Sequence, residues 1–162
     1  MSLVEWSRSF WQAPPIGFIL RSAQESHWLR IHFFAAKRYP ETPADHDQVT
    51  DRFQTCGDHL FAPSAQLILY RYAFHADPDY EMESIAVPFE ASRAPWLPGQ
   101  FTSDLRKTAC DEAPSFLLFD PTSENAMAPY PGGIDLFLRD ATVRDQLYET
   151  LAPWRSARED GL

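Results

Sequence analysis

The clearest pattern in the chain is a repeat of apolar residues every three or four positions, which is typical of helices with one buried face. One such stretch covers about residues 43–60 and another about residues 141–153. Thr42 and Asp140, which directly precede these stretches, are residue types that cap helix N-termini. A shorter stretch predicts an N-terminal helix whose apolar face carries Leu3, Trp6, Phe10 and Trp11.

Strand-length patterns lie between these helices. Residues 67–74 and 115–119 are apolar on both faces, which predicts interior strands, whereas Pro88 places residues 85–89 at an edge. We expect two hairpins: one pairs residues 16–21 with residues 28–34, and the other joins two short strands through the turn Pro131-Gly132-Gly133. Strands outnumber helices without βαβ alternation, so we predict an α+β fold, with a mainly antiparallel sheet and the two longer helices on one face.

One stretch, residues 90–114, shows no regular pattern, because Pro95, Pro98 and Gly99 interrupt it. A long irregular stretch in a compact domain is often functional. The 162 residues suit one domain, and a hydrophobic content of 44% supports a sizeable core. We therefore expect residues 1–162 to form a single globular domain.

The formal net charge of −9 argues against some classes of binding partner. A negative protein is repelled by phosphate backbones and by anionic membrane surfaces, so we expect neither nucleic-acid binding nor membrane binding. The charge suits a basic protein partner, although acidity alone also serves solubility. The chain has no apolar run of membrane-spanning length and no signal-peptide pattern, so we expect a cytoplasmic location. The sequence leaves the oligomeric state open.

Motifs for metals, cofactors and catalysis are absent from the sequence. The two cysteines, Cys56 and Cys110, are isolated and are expected to be free thiols, with Cys56 on the buried face of a helix. The five histidines match neither H-E-x-x-H nor zinc-finger spacing. No glycine-rich phosphate loop precedes a helix, and no serine lies in a G-x-S-x-G context. We therefore predict no metal and no cofactor, and we favour a protein that is not an enzyme.

Asp135 is the first candidate for a functional residue. It lies on a predicted strand between apolar neighbours, where aspartate is rare unless it is paired. Arg30, His32 and Arg71 also lie on predicted strands and could reach it across the sheet. A buried pair of this kind marks a candidate site, but it is more often a structural ion pair.

A second candidate is the segment Lys37-Arg38-Tyr39, which precedes the capped helix. Two adjacent cations beside a helix N-terminus could hold an anion, although charged loop residues are usually only solvated. Trp96 could anchor a ligand or pack on the core. The candidate ligand-binding residues are therefore Arg30, His32, Lys37, Arg38, Tyr39, Arg71, Trp96, Tyr130 and Asp135.

Three short segments carry a resemblance to a known family: Lys37-Arg38-Tyr39-Pro40-Glu41, Tyr130-Pro131-Gly132-Gly133-x-Asp135, and a C-terminal helix with Trp154 and a terminal Gly161-Leu162. In these segments the chain resembles a family of uncharacterised bacterial proteins of unknown function. The resemblance covers both ends of the chain and leaves residues 75–114 uncovered. It implies a bacterial, cytoplasmic, single-domain protein, and it transfers no activity to any residue.

Two functional hypotheses follow. The leading one is a noncatalytic protein-interaction or binding module, and one form of it is an immunity-like or antitoxin-like protein that blocks a basic effector. The alternative is a small enzyme or an anionic-ligand-binding protein, with a cluster around Arg38, Tyr130 and Asp135. The alternative requires these groups to converge in one pocket. A self-associating structural protein is a third possibility.

Overall fold

The computed structural model of the chain describes residues 3–13, 17–72, 83–88, 99–111 and 115–155. The helices are α1 (Leu3–Trp6), α2 (Gly17–Ala23), α3 (Pro43–Leu60), α4 (Gly99–Ala109) and α5 (Ala141–Thr150). The strands are β1 (Trp28–His32), β2 (Gln66–Tyr72), β3 (Glu83–Pro88), β4 (Ser115–Asp120), β5 (Asn125–Tyr130) and β6 (Gly133–Phe137).

The described strands form one antiparallel sheet in the order β1-β6-β5-β4-β2-β3. This confirms the predicted α+β class with an antiparallel sheet. β3, which contains Pro88, lies at one edge as predicted, and β2 is an interior strand with a neighbour on each side. β1 forms the other edge, and its outer side carries an isolated bridge between Ile31 and Arg155.

Helices cover both faces of the sheet. α3 and α5 contribute to one hydrophobic cluster, in which α3 buries Val49, Phe53, Cys56 and Leu60. α1 continues as a π-helical turn, Ser7–Trp11, and the N-terminal segment supplies the second cluster. There Trp6 and Trp11 pack with Phe119 and Phe137 on the opposite face. The structure therefore confirms the predicted core positions of these two tryptophans and of Cys56.

The first predicted hairpin is wrong. Residues from Gly17 onward form the helix α2, and β1 pairs instead with β6, which is distant in sequence. A short apolar run cannot be assigned to a strand or to a buried helix by its periodicity alone. The surrounding structure decides the matter, because Leu20 of α2 packs into the tryptophan cluster of the second face.

The prediction that residues 90–114 are irregular is also wrong in part. Gly99–Ala109 form the helix α4, whose Leu105 and Ala109 are fully buried four positions apart. Gly99 is the first residue of this helix, and Pro98 comes directly before it in the sequence, so neither interrupts the helix. Residues 90–98 lie outside the described part of the chain.

The predicted start of α3 is confirmed by a full capping box. The hydroxyl of Thr42 accepts a hydrogen bond from the backbone N–H of Asp45, and the Asp45 carboxylate accepts one from the N–H of Thr42. The ammonium of Lys37 also donates to Asp45, at 2.6 Å. This bond, followed by the backbone N–H of Glu41, lowers the pKa of Asp45 well below its usual range.

We expect Thr42→Ala to lower the free energy of unfolding by about 1 kcal/mol, because loss of the cap hydroxyl leaves the backbone N–H of Asp45 without its hydrogen-bond acceptor. Urea unfolding followed by circular dichroism measures the change. Thr150→Ala is the matched control, since it removes an exposed helical hydroxyl that bonds only to the carbonyl of Gln146. Equal losses in the two variants would contradict a specific capping role.

Candidate functional site

A buried ion pair between Arg30 and Asp135 lies at the base of the site. The two residues are directly opposite each other on β1 and β6. Nε and Nη2 of Arg30 donate to the two carboxylate oxygens of Asp135, each at 2.8 Å, and Nε1 of Trp28 donates at 2.9 Å. Burial alone would lower the pKa of Arg30, but the hydrogen bond and charge of Asp135 outweigh burial and raise it. Arg30 is therefore the partner that a buried aspartate on a strand requires.

Two polar aromatic side chains lie beside this pair. The guanidinium carbon of Arg30 is 3.9 Å from the ring centroid of Tyr130, and the Tyr130 hydroxyl is 3.4 Å from Nδ1 of His32. Burial raises the pKa of Tyr130, so the phenol stays protonated. Burial, followed by the charge of Arg30, lowers the pKa of His32, so its ring is neutral near pH 7. The site thus presents two neutral hydrogen-bonding groups next to a fixed cation.

The glycines of the hairpin have two different roles. Gly132 has φ of +108°, which fits the predicted turn chemistry. Gly133 lies on β6, and a Cβ there would come within 2.0 Å of the Ile31 carbonyl oxygen and 2.6 Å of the Tyr130 hydroxyl. The absence of a side chain at Gly133 therefore lets the Tyr130 ring cross β6 toward His32. The sequence pattern showed only the turn.

A cavity of about 740 Å³ opens at the β1 edge above these residues. Its walls come from α2, β1, the segment after β1, α3, the β5–β6 turn and the chain after α5. The described lining residues include no aspartate or glutamate, although the chain as a whole has a formal net charge of −9. They do include six cationic residues, namely Arg21, Arg30, Lys37, Arg38, Arg52 and Arg155.

Only some of these cations are neutralised. Arg30 is paired with Asp135, and Lys37 with Asp45. The other four cavity arginines have no carboxylate partner within the described ranges, yet contacts to neutral groups hold three of them in place. These contacts are Arg38 Nε to the Pro131 carbonyl at 3.2 Å, Arg52 Nη1 to the His32 carbonyl at 2.6 Å, and the Arg155 guanidinium over the Tyr148 ring at 3.6 Å.

The structure brings most of the predicted site residues together. Five of them line the cavity, namely Arg30, His32, Lys37, Arg38 and Tyr130, and Asp135 lies directly against Arg30. Tyr39 is exposed next to Arg38 and is not part of the cavity wall. Trp96 lies outside the described residues.

Arg71 was a wrong candidate for pairing with Asp135. It lies on β2, and β4 and β5 separate β2 from β6. At roughly 4.8 Å per strand, this places the two backbones on the order of 14 Å apart. Arg71 instead donates to Asp104 of α4 at 2.5 Å. The sequence could not separate Arg71 from Arg30, because strand order depends on pairing between distant segments.

Several cavity residues were not among the candidates predicted from the sequence. Arg21 had been assigned to a strand, and Arg52 on α3 has the position of an ordinary solvated helix residue. Trp154 packs against the α3 face of the core, and it also lines the cavity, where its ring centroid is 4.9 Å from the Arg52 guanidinium. No local signal marks these residues, because each comes from a different segment.

The described residues contain neither a cluster of metal ligands nor a helix that could span a membrane. No group of three or more His, Cys, Asp or Glu side chains in these ranges is placed to hold a metal ion. None of the described helices is long and apolar enough to cross a membrane.

Comparison with known proteins gives one match. Residues 75–159 match a family described as a domain of unknown function (DUF3885), which spans the β5–β6 hairpin, with Tyr130 and Asp135. No curated protein and no solved structure matches the chain. The match includes residues 75–114, which the resemblance seen in the sequence had left uncovered.

We expect Asp135→Asn to lower the free energy of unfolding by about 3 kcal/mol, because it leaves the buried Arg30 charge uncompensated. Urea unfolding measures the loss. Asp145→Asn is the control, since Asp145 pairs with Arg144 at an exposed position. Similar midpoints for Asp135→Asn and Asp145→Asn would contradict a structural role for the buried pair.

The lowered pKa of His32 predicts a pH dependence of stability. The unfolded chain takes up a proton near the ordinary pKa of 6.5, whereas folded His32 resists protonation, so the free energy of unfolding falls as the pH drops below about 7. We expect His32→Gln to reduce this slope between about pH 7 and 5, relative to His59→Gln at an exposed helix position. Urea midpoints across this range test it, and equal slopes would contradict it.

Proposed function

This chain belongs to the DUF3885 family, a family of unknown function, and we propose that it binds a small anionic ligand in the cavity at the β1 edge. The observation that carries the proposal is the gathering of cationic side chains around one cavity of an acidic protein. Four of these arginines have no carboxylate partner among the described residues. This is the ligand-binding form of the alternative that the sequence suggested.

The electrostatics support an anion as the missing partner. Like charges that line one cavity repel each other, and the repulsion grows as the local dielectric constant falls below that of water. The chain has enough acids to neutralise these arginines, with 23 Asp and Glu against 14 Lys and Arg. None of the acids in the described part of the chain lies in the cavity lining. A bound anion would offset the repulsion among the arginines, so anion binding would explain why they are placed together.

The surrounding groups would orient such a ligand. Tyr130 can donate from its hydroxyl, and the Arg30–Asp135 pair holds the Tyr130 ring in place. Arg52 is fixed on α3, and Arg38 is fixed by its bond to the β5–β6 turn. Because these contacts exist before any ligand enters, little conformational entropy is lost on binding.

We propose binding without catalysis. The described cavity lining has no serine, threonine, cysteine or carboxylate that could act as a nucleophile. His32 and Tyr130 are the neutral polar side chains present, and both contribute hydrogen bonds. We also propose a bacterial cytoplasmic protein. The resemblance seen in the sequence supports this, as does the free, buried thiol of Cys56, which suits a reducing compartment.

A second candidate function is binding of a basic protein, including the immunity-like or antitoxin-like form. Six of the 14 Lys and Arg residues line the cavity, and no described Asp or Glu residue does. The described surface away from the cavity is therefore more acidic than the net charge suggests, which favours association with a basic partner. A pull-down from the native host at low and high salt tests this, and no partner at either salt would count against it.

We expect inorganic pyrophosphate to bind the wild-type chain saturably in calorimetric titration, and more weakly as salt is raised. Arg38→Ala and Arg21→Ala should each weaken binding about tenfold, since a hydrogen bond to a charged group contributes about 1.5–3 kcal/mol. Arg8→Ala, at an exposed position outside the cavity, is the control.

The absence of saturable heat at low salt would contradict the proposed function. So would cavity variants that bind pyrophosphate as tightly as Arg8→Ala does. Urea unfolding of each variant shows whether a loss of binding reflects a loss of folding, because Arg38 is exposed and its removal is expected to cost little stability.

A further inference from the structure

We propose that the ligand is a nucleoside di- or triphosphate, or an aromatic polyphosphate of the same size and charge. The proposal rests on the proposed function, since it assigns a chemical class to the anion in the same cavity. Three features of the cavity lead to it: the arrangement of its unpaired arginines, its volume, and a tryptophan that separates it from a second, acidic hollow.

The arginines indicate more than one phosphate group. Those without a carboxylate partner in the described chain come from four separate places, namely α2, the segment after β1, α3 and the chain after α5. A planar carboxylate is satisfied by one guanidinium along one edge, whereas a phosphate accepts donors from several directions. The terminal phosphate of a polyphosphate carries a charge of about −1.5 to −2 and each inner phosphate carries about −1, so two or three linked phosphates match these four arginines.

The volume indicates an organic molecule. A cavity of about 740 Å³ lies within the range of roughly 300–1,000 Å³ that drug-sized ligands occupy. Inorganic phosphate or pyrophosphate would fill only part of it. Phe34, Pro153 and Trp154 add an apolar wall that bare phosphates cannot use.

Trp154 indicates where the organic part of the ligand would bind. Its ring lies 4.9 Å from the guanidinium of Arg52, and both residues also line a second hollow of about 440 Å³ beside the first. An aromatic base can stack on an indole or a guanidinium plane. We therefore infer that the phosphates occupy the arginine cavity and that the base lies at the boundary between the two hollows.

The second hollow differs in charge from the first. Its lining includes Asp47, Gln48, Asp51 and Thr55 of α3, so carboxylates, an amide and a hydroxyl share this hollow with Trp154. These groups can accept hydrogen bonds from the amino and ring N–H groups of a base. They would repel a further anionic group, which argues against an elongated polycarboxylate that spans both hollows.

The test compares five probes by calorimetric titration on the full chain: ATP, GTP, AMP, tripolyphosphate and citrate. At least one nucleoside triphosphate should bind about tenfold or more tightly than tripolyphosphate, because base stacking adds to the phosphate contacts. It should also bind more tightly than AMP, because AMP has fewer phosphates to meet the arginines.

Variants separate the two parts of the ligand. Trp154→Ala should bring nucleoside triphosphate binding to the level of tripolyphosphate and leave tripolyphosphate binding unchanged, while Trp154→Phe should restore much of the preference. Arg38→Ala should weaken both ligands. Unchanged binding of tripolyphosphate by Trp154→Ala also shows that this variant is folded.

The outcomes distinguish a failure of this inference from a failure of the proposed function. If tripolyphosphate binds as tightly as ATP and GTP, the inference that the ligand has an aromatic group is wrong. If citrate binds as tightly as ATP or GTP, the inference that the ligand carries phosphates is wrong. In both cases the anion cavity would stand. If none of the five probes binds at low salt, the inference and the proposed function fail together.

Discussion

The buried bond between Arg30 and Asp135 is the interaction on which the rest of the site depends. It joins β1 to β6 at directly opposed positions, so a shift of one residue in register would place the two charges on opposite faces of the sheet. Asp135 accepts three hydrogen bonds, which offset the cost of removing it from water. Tyr130 stacks on Arg30, and Gly133 leaves room for that ring. One ion pair therefore sets the strand register, the tyrosine and the base of the cavity.

The distribution of charge separates the structural cations from the others. Arg30, Lys37 and Arg71 each bond to a carboxylate within 3 Å, and they hold a strand, a helix start and α4 in place. Arg38 and Arg52 are held by backbone carbonyls, so their positions are fixed while their charges stay uncompensated. These uncompensated charges beside one cavity of an acidic chain support the proposal that it binds an anion.

Several elements could be predicted because their signals are local. The capping residues and apolar spacing of α3, the two-sided apolar pattern of β4, and the turn at Gly132 each reside in a few adjacent positions. α2 and α4 were missed because short apolar runs and neighbouring prolines give the same pattern in helices, strands and loops. Tertiary packing resolved that ambiguity.

The sequence by itself determined the fold class, most element boundaries and the demand of Asp135 for a partner, since these follow from periodicity, capping and the cost of a buried charge. It also placed Arg38 and Tyr130 among the candidates. Only the tertiary structure decided that Arg30 and not Arg71 is the partner of Asp135, and that Arg21, Arg52 and Arg155 meet at one cavity. The reason is that strand order and the meeting of distant segments depend on long-range packing, which leaves no mark on the local pattern of a chain.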